Sequence, residues 1–249
     1  LRQLERGVLA ALAVLGRCPT SWRQLCEALA PDCLPQGDAI PWYAGYDASL
    51  PIDDEKAACR QEAARWQSVF AAVGVQLLEF RSRVVFEEPF NRLIDQWESK
   101  GEALSQLTLG LVAELSASLG EEPIGVICDK HGGRNRYQRL LTDCFPEAFV
   151  EIYEERRDLS LYRFGPPHRR FEVRFCTRAE SYLPTALASM ASKYLRELAM
   201  AAFNGFWCQR VAGLLPTAGY PVDAARFRQA VAGVQAALGI PDEFLWRKR

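Results

Sequence analysis

Apolar residues in this chain recur mostly at helical spacing, and shorter apolar runs between them have the composition of strands. Intervals of three and four residues predict helices, and the stretch 89–119 fits either one long helix or two shorter ones. Thr20 and Ser21 are both available as N-caps for the second helix. The predicted helices are 1–15, 21–29, 53–73, 89–119, 134–144, the segment that starts at Leu183, and 223–238.

Short apolar runs predict the strands of a sheet. The run 124–128 is continuously apolar after a Glu-Glu-Pro sequence, which is typical of a strand buried on both faces. The runs 159–164 and 171–176 are expected to form a hairpin across a Gly-Pro-Pro sequence. The predicted strands are 75–86, 124–128, 148–153, 159–164 and 171–176, and the segment 31–51, rich in Pro, Gly and Asp, is predicted to be a loop. This mixture predicts an α/β protein with helices on the faces of its sheet.

Composition narrows the class of protein. The 249 residues are 49% hydrophobic and carry a formal charge of −1, so any nucleic-acid binding must come from local basic patches. The eight cysteines contain no Cys-x-x-Cys pair, which favours free thiols in a reducing cytoplasm. No P-loop, dinucleotide-binding or Gly-x-Ser-x-Gly motif is present. No membrane segment or signal peptide is expected, and a helix-like pattern that starts directly at Leu1 favours a natural protein that continues upstream.

A cationic polar stripe on the predicted helix that starts at Leu183 indicates a surface for a polyanion. At 100° per residue, about one third of the helix circumference holds Ser189, Ser192, Lys193 and Arg196, and the opposite side holds Leu187, Met190, Tyr194 and Leu198. We predict nucleic-acid contacts for Ser189, Lys193 and Arg196, although charges at this spacing also form ordinary solvated faces. Tyr220 lies in a Gly-Tyr-Pro turn, where it either stacks on a sugar or base or packs as a core aromatic.

Two carboxylates follow predicted strands and are candidate ligands of Mg²⁺ or Mn²⁺. Asp129 comes at the C-terminal end of the run 124–128, where open α/β sheets place their sites. The Lys-His-Gly-Gly-Arg sequence after it ends at Arg134, a cation for phosphate, although a Gly-Gly turn is also an ordinary turn. Glu180 lies between the last predicted strand and the helix at Leu183, and its alternative role is to cap that helix. Oxygen ligands at converging strand ends suit the metals that serve phosphodiester hydrolysis.

The order of these landmarks resembles the ribonuclease HII family over roughly residues 90–227. The chain has a strand, then Glu-Ser, an Ala-Ser-Met-Ala-Ser-Lys helix and Gly-Tyr, which is similar to the family's Asp-Ser pair, Ala-Ser-Ile-x-Ala-Lys helix and Lys-Gly-Tyr. The Phe-Asn sequence at 90–91 resembles the family's Ile-Asn-containing helix. By this resemblance Asp129 and Glu180 take the places of the third and fourth acidic residues, Lys193 matches the helix lysine, and Tyr220 matches the tyrosine that contacts the ribose at an RNA–DNA junction.

The chain also departs from the family pattern. Family members open with a strand that carries an Asp-Glu pair in a Gly-rich motif, and the start of this chain has no such motif. The Asp-Asp-Glu sequence at 53–55 has no apolar strand before it and fits a helix N-terminus instead. Glu replaces the usual Asp at 180, Gly-Gly-Arg replaces the usual neighbours of Asp129, and a longer segment separates the two acids. We expect a divergent relative that is truncated at its N-terminus. Its domains would be N-terminal helices and a loop in 1–52 and a ribonuclease H-like α/β domain, a mixed sheet flanked by helices, in 53–249.

The resemblance implies a metal-dependent endoribonuclease. It would cleave the RNA strand of RNA–DNA hybrids or cut DNA duplexes at embedded ribonucleotides, with Mg²⁺ or Mn²⁺ bound by the catalytic residues Asp129 and Glu180. From the charge pattern and the resemblance together, the residues predicted to bind nucleic acid are Arg134, Ser189, Lys193, Arg196 and Tyr220, the last of which would sense the ribose. The alternative is a non-catalytic nucleic-acid-binding module on the same fold, and a third interpretation is an α/β interaction protein that binds no nucleic acid.

Overall fold

The computed structural model describes residues 1–97 and 99–248 and divides the chain into two compact units. The helical unit comprises Leu1–Asn91 and the residues from Met190 onward, and the sheet unit comprises Arg92–Ser189. The helices are α1 (Arg2–Val14), α2 (Trp22–Leu29), α3 (Cys33–Gly37), α4 (Lys56–Val73), α5 (Glu87–Trp97), α6 (Lys100–Ala117), α7 (Gln138–Cys144), α8 (Leu183–Cys208), α9 (Pro221–Ala237) and α10 (Asp242–Leu245). The strands are β1 (Ile124–Asp129), β2 (Glu151–Glu155), β3 (Leu159–Phe164) and β4 (Phe171–Cys176), and two short 3₁₀ helices span Pro167–Arg169 and Ala179–Ser181.

The predicted helices are present, and hydrogen-bonded caps fix the starts of two of them. Ser21 caps α2, because its Oγ accepts a hydrogen bond from the Gln24 N–H at 3.5 Å. The stretch 89–119 contains two helices, α5 and α6, rather than one. The Oγ of Ser99 caps α6 by accepting from the Glu102 N–H at 3.4 Å.

The helix predicted at 134–144 begins only at Gln138, because the residues before it are held in a loop. The N–H of Tyr137 donates to the hydroxyl of Tyr162 on β3 at 2.8 Å. The hydroxyl of Tyr137 in turn accepts from the N–H of His131 at 3.0 Å. These hydrogen bonds direct the loop toward the sheet, and the helix starts after them.

The strand predicted at 75–86 is wrong, because these residues form no regular element. They are anchored by two buried rings, Phe80 and Phe86, and by a hydrogen bond from the Ser82 N–H to the Leu29 carbonyl at 2.7 Å. A strand needs a neighbour that pairs with a row of its backbone groups. Apolar composition alone does not supply that neighbour, and no described strand pairs with this segment.

The sheet has the order β1-β4-β3-β2 and confirms a mixed α/β class. β1 pairs parallel with β4, whereas β3 pairs antiparallel with both β4 and β2. The predicted hairpin of β3 and β4 is confirmed with the bounds that the pattern gave. Alternate residues of both strands are buried, and the core of the sheet unit includes Tyr137, Leu140, Tyr162, Phe164, Val173 and Phe175.

β1 is an edge strand among the described residues, so the prediction of burial on both faces is wrong. Only Cys128 in β1 is buried, and Gly125 and Asp129 are exposed. The apolar run reflects the contact of one face with the core of the sheet unit, against which the half-buried Ile124 and Val126 also pack.

The cysteines and the lengths of the helices complete the description of the fold. All eight cysteines are free thiols, as the sequence predicted. Among the helices of the described residues, none is both long and apolar enough to cross a membrane.

A buried carboxylate joins three segments of the helical unit. Glu5 of α1 is fully buried, and its Oε1 accepts hydrogen bonds from the Ile52 N–H and the Tyr194 hydroxyl, both at 2.7 Å. Its Oε2 accepts from the N–H groups of Asp53 and Asp54 at 2.8 and 2.9 Å. Four donors therefore satisfy this carboxylate, and they fix the backbone just before α4 against α1 and α8.

The same contact places Asp54 beside two arginines of α1. The Nε and Nη2 of Arg6 donate to the two Asp54 oxygens at 2.7 and 2.8 Å, and the Nε of Arg2 donates at 3.1 Å. These bonds, with that from Arg6 the strongest, hold the pKa of Asp54 well below its usual range. The acidic residues at 53–55 do precede a helix N-terminus, as predicted, since α4 begins at Lys56.

Glu5→Gln is expected to destabilise the protein by about 3 kcal/mol, because an amide NH₂ would then face two buried donors that it cannot accept from. Tyr194→Phe removes one donor and leaves the others in place, so it should cost only about 1 kcal/mol. Urea unfolding followed by circular dichroism measures both. Equal effects of the two substitutions would show that the carboxylate does not organise the segment.

Candidate carboxylate site and nucleic-acid interface

The parallel pair β1–β4 places the two candidate metal ligands near the carboxyl ends of its strands. Asp129 is the last residue of β1 and lies opposite Cys176, the last residue of β4. After β4 the chain passes Arg178, whose left-handed backbone (φ 60°) leads into the 3₁₀ helix that carries Glu180. This 3₁₀ helix contacts β1. Asp129 therefore lies at, and Glu180 just after, the carboxyl ends of neighbouring parallel strands.

The two carboxylates have different surroundings, although both are exposed. No described residue hydrogen-bonds to or forms an ion pair with the side chain of Asp129. The Oε1 of Glu180 accepts a hydrogen bond from the Oγ of Ser189 at 3.5 Å. Ser189, predicted to contact nucleic acid, is thus oriented toward Glu180.

The residues at this edge fit a divalent cation only as an open site. Within 1–97 and 99–248, no group of three or more His, Cys, Asp or Glu side chains is arranged to hold a metal ion. Mg²⁺ is commonly held by one or two carboxylates, with waters and substrate phosphates completing its shell. Asp129 and Glu180 are the candidates for such an open site, and the described residues offer no closed set of protein ligands.

The two cations of the Lys-His-Gly-Gly-Arg loop are engaged inside the protein. The Nζ of Lys130 donates to the Asn135 side chain at 3.0 Å, the Arg156 carbonyl at 2.7 Å and the Ser160 hydroxyl at 2.8 Å. Partial burial lowers the pKa of Lys130. The sequence indicated phosphate binding for this loop, but the structure gives Lys130 the role of holding the loop after Asp129.

Arg134, predicted to contact phosphate, forms an ion pair with an acid of α6. Its Nη2 donates to the Oε2 of Glu102 at 3.3 Å, and Arg139 binds the other oxygen of the same carboxylate. A phosphate contact by Arg134 therefore has to compete with this pair.

His131 is buried, although the residues around it in the sequence are polar. Its Nδ1 lies 2.8 Å from the Oγ of Ser105, and that hydroxyl donates to the Gly101 carbonyl at 2.7 Å. Since the hydroxyl has one proton, we assign the Nδ1–H tautomer, with His131 as donor to Ser105. The ring packs edge-on against Tyr137 and Phe175, and burial lowers its pKa to about 4. The sequence gave no sign of this contact, because Ser105 lies on a distant helix.

The polar and apolar faces predicted for α8 agree in part with its burial. Leu187, Tyr194 and Leu198 are buried and Ser192 and Lys193 are exposed, whereas Ser189, Met190 and Arg196 are half-buried. The boundary between the two units falls after Ser189, so the sheet unit holds Asp129, Arg134, Glu180 and Ser189, and the helical unit holds Lys193, Arg196 and Tyr220.

Arg196 and Tyr220 form a cluster on the surface of the helical unit. The guanidinium of Arg196 lies over the Tyr220 ring, 5.0 Å from its centroid, and also binds the Ala218 carbonyl and, at 3.1 Å, Glu197. Tyr220 is 60% exposed and precedes the first residue of α9, so it is not a core aromatic. The turn between α8 and α9 includes Gly219 with a positive φ of 72°. The structure therefore brings a predicted phosphate contact and the predicted ribose contact together.

Comparison of the chain with protein-family models, with curated proteins and with solved structures finds no match.

The buried imidazole of His131 is expected to make stability depend on pH. Because its folded pKa, about 4, lies below the ordinary value of 6.5, the neutral form is favoured in the folded protein. The contribution is complete above pH 6.5 and is lost as the pH falls from 6.5 to 4, by up to about 3 kcal/mol. Urea unfolding at a series of pH values between 7.5 and 4.5 measures the loss.

Two substitutions separate this effect from general acid denaturation. His131→Asn keeps a donor toward Ser105 and should remove most of the pH dependence between 6.5 and 4.5. His168→Asn changes the other histidine, whose side chain is 68% exposed, and should leave the wild-type dependence unchanged. If wild type and His131→Asn lose stability in parallel, the imidazole is not the titrating group.

Proposed function

We propose that this protein is a metal-dependent endonuclease of the ribonuclease H type, acting in a reducing cytoplasm on the RNA strand of RNA–DNA hybrids or at ribonucleotides embedded in DNA. The observation that supports it is the position of Asp129 at, and Glu180 just beyond, the carboxyl ends of the parallel pair β1–β4. Open α/β sheets bind their ligands outside this edge. A ribonuclease H-like fold is part of the same proposal, and the mixed sheet is compatible with it.

Asp129 and Glu180 are proposed to hold Mg²⁺ or Mn²⁺ together with phosphate oxygens of the substrate. The bound ion supplies an oriented water and stabilises charge on the leaving oxygen. Asp129 is suited to this role because it is exposed and no described side chain is paired with it. Ser189 orients Glu180 through its hydrogen bond.

The nucleic-acid contacts are proposed to come from α8 and the turn after it. Lys193 is exposed on α8, and Arg196 lies over the exposed ring of Tyr220. A guanidinium can bind a phosphate while its face stays on an aromatic ring. Tyr220 is placed to contact a ribose, whose 2′-hydroxyl is the group that distinguishes RNA from DNA. Arg134 contributes only where its pair with Glu102 opens.

Cleavage of a labelled DNA duplex that contains a short ribonucleotide run tests the enzyme directly. With Mn²⁺ or Mg²⁺, the protein should cut at the ribonucleotides and leave the all-DNA duplex intact. Asp129→Asn and Glu180→Gln should each lower the rate at least about 100-fold, because each removes a charged ligand of the ion. Asp158→Asn changes an exposed acid at the β2–β3 turn of the same unit and should keep the full rate.

Two results of the cleavage experiment would contradict the proposal. One is cleavage that persists in Asp129→Asn, which would place the metal elsewhere. The other is no metal-dependent cleavage by a folded wild-type protein.

A non-catalytic nucleic-acid-binding module is the second candidate. The absence of a group of three metal-ligating side chains in the described residues favours it. In this case Arg196 and Tyr220 would bind the duplex while the carboxylates play no catalytic part.

Binding measured at several salt concentrations tests the nucleic-acid contacts of both candidates. Arg196→Gln should weaken hybrid binding and reduce the slope of log affinity against log salt by about one, since one phosphate contact is lost. Arg228→Gln is a matched control, because Arg228 also lies over an aromatic ring, that of Trp246 at 5.3 Å, and pairs with Asp242. Wild-type binding that is absent or insensitive to salt would instead favour an interaction protein without nucleic-acid function.

A further inference from the structure

The face of the sheet opposite its core carries a cleft at the amino end of the parallel pair β1–β4. Alternate residues of β3 and β4 are buried in the core, so Arg163 and Glu172 lie on the opposite face. The cleft has a volume of about 710 Å³, which is within the range of small-molecule sites, and its lining belongs entirely to the sheet unit. Asp129 lies at the other end of β1, so the cleft is separate from the candidate metal site.

One row of residues across all four strands forms the floor of the cleft. Gly125 of β1 pairs with Glu172 of β4. Glu172 also pairs with Arg163 of β3, and Arg163 pairs with Glu151 of β2. All four residues line the cleft. Because the register of the sheet fixes their positions, the charged groups of the floor are held at set spacings.

The glycine of this row leaves the space above β1 open. The φ of Gly125 is not in the left-handed region, so its backbone does not require glycine. A Cβ at this position would meet no atom of the described residues within 4 Å, apart from its chain neighbours. The space above the strand is therefore available to a ligand.

The wall beside this space is fixed by the turn between β3 and β4. Gly165 has a φ of 84°, and a Cβ there would lie 2.8 Å from the carbonyl oxygen of Arg169, so the turn is tight. The N–H of Ile124 donates to the carbonyl of Arg170 at 2.9 Å, which holds Arg170 beside β1. Pro167 and Arg170 both line the cleft. A wall that is fixed before binding lowers the entropy cost of binding.

Three arginines share two carboxylates on this face. Arg163 and Arg174 both bind Glu172, at 2.7 and 2.5 Å. The Nη1 of Arg170 lies 3.8 Å from the Oε1 of Glu151, which is too far for a hydrogen bond. Three positive and two negative groups leave a net charge of +1. A ligand with one negative charge would therefore neutralise the group.

Tyr153 provides a flat ring beside these charges. The guanidinium of Arg163 lies over the ring, 4.4 Å from its centroid, and Tyr153 is 52% exposed. Its hydroxyl donates at 3.2 Å to the Oε2 of Glu151, whose other oxygen faces Arg170. The ring and Arg170 are thus neighbours on either side of one carboxylate. An exposed aromatic ring stacks well on a planar ligand.

We propose that this cleft binds a small ligand in which a planar aromatic ring carries one negative charge. The ring lies on Tyr153 and the charge lies at Arg170, whose guanidinium has five N–H donors and can bind an anion in addition to Glu151. Two chemical classes combine such a ring with a single charge, the aryl carboxylates and the phosphodiesters of nucleosides. This binding is independent of the proposed nuclease, because none of its residues belongs to the carboxylate site.

Isothermal titration calorimetry on the full chain tests the site and distinguishes the two classes. The probes are naphthoate, an aryl carboxylate, and adenylyl-adenosine, a dinucleotide with one phosphodiester charge. At least one of them should bind with a Kd below about 1 mM. Naphthamide lacks the charge and acetate lacks the ring, so each should bind at least about tenfold more weakly.

Three variants locate the binding in the cleft. Arg170→Gln removes the charge contact and should weaken binding at least about tenfold. Gly125→Val fills the space above β1 without a clash, so it should weaken binding equally and keep the melting temperature of wild type. Arg136→Gln is the control, because Arg136 is an arginine of the same unit whose side chain is 89% exposed outside the cleft, and it should bind like wild type.

Three results would overturn the proposal. One is a folded wild-type protein that binds neither naphthoate nor adenylyl-adenosine. Another is naphthamide binding as tightly as naphthoate when adenylyl-adenosine does not bind, because the charge would then play no part. The third is wild-type affinity in folded Gly125→Val or Arg170→Gln, which would place the ligand elsewhere.

Discussion

The helical unit depends on one buried carboxylate, that of Glu5. Burying a charge-bearing group is costly unless its hydrogen-bonding capacity is filled, and here three backbone N–H groups and the Tyr194 hydroxyl fill it. Because those donors come from α8 and from the segment before α4, satisfying Glu5 fixes both against α1. The ion pairs of Asp54 with α1 then follow from the backbone position that Glu5 imposes.

The same constraint determines which side of α8 is exposed. Tyr194 reaches Glu5 from the apolar face of α8, and Leu198 is buried one turn further on. Residues on the other side of the helix must then face solvent: at 100° per residue Ser192 lies about 160° and Lys193 about 100° from Tyr194, and both are exposed. The candidate phosphate contacts are therefore a consequence of how α8 is anchored. Arg196 bends back to the Ala218 carbonyl and to Tyr220, which holds the turn before α9 near the cationic face.

Local signals predicted most of the fold. The β3–β4 hairpin follows from two strand-like runs on either side of a Gly-Pro-Pro sequence, and the cap at Ser21, one of the two candidates, follows from side-chain chemistry a few residues away. Properties that depend on distant partners were not predictable. The segment 75–86 has strand composition but no strand to pair with, and β1 has the composition of a buried strand but lies at an edge.

The burial of two polar residues, Glu5 and His131, also depends on distant partners and was not predictable from the local sequence. Glu5 is a glutamate in a helix, a residue that usually faces solvent, and its hydrogen-bond donors lie 47 or more residues away in the chain. His131 lies in a polar sequence, yet Ser105 and two aromatic rings bury it. For the candidate site, the sequence proposed Asp129, Glu180, Arg196 and Tyr220 as candidates, and the pairing of Arg134 with Glu102 and the internal role of Lys130 required the structure. In the loop after β1, Lys130 and Arg134 have partners within the protein, whereas the exposed Asp129 has no hydrogen bond or ion pair with a described residue. A phosphate approaching Asp129 and Glu180 meets like charge, so a bridging cation is the physical condition under which this edge can bind a nucleic acid.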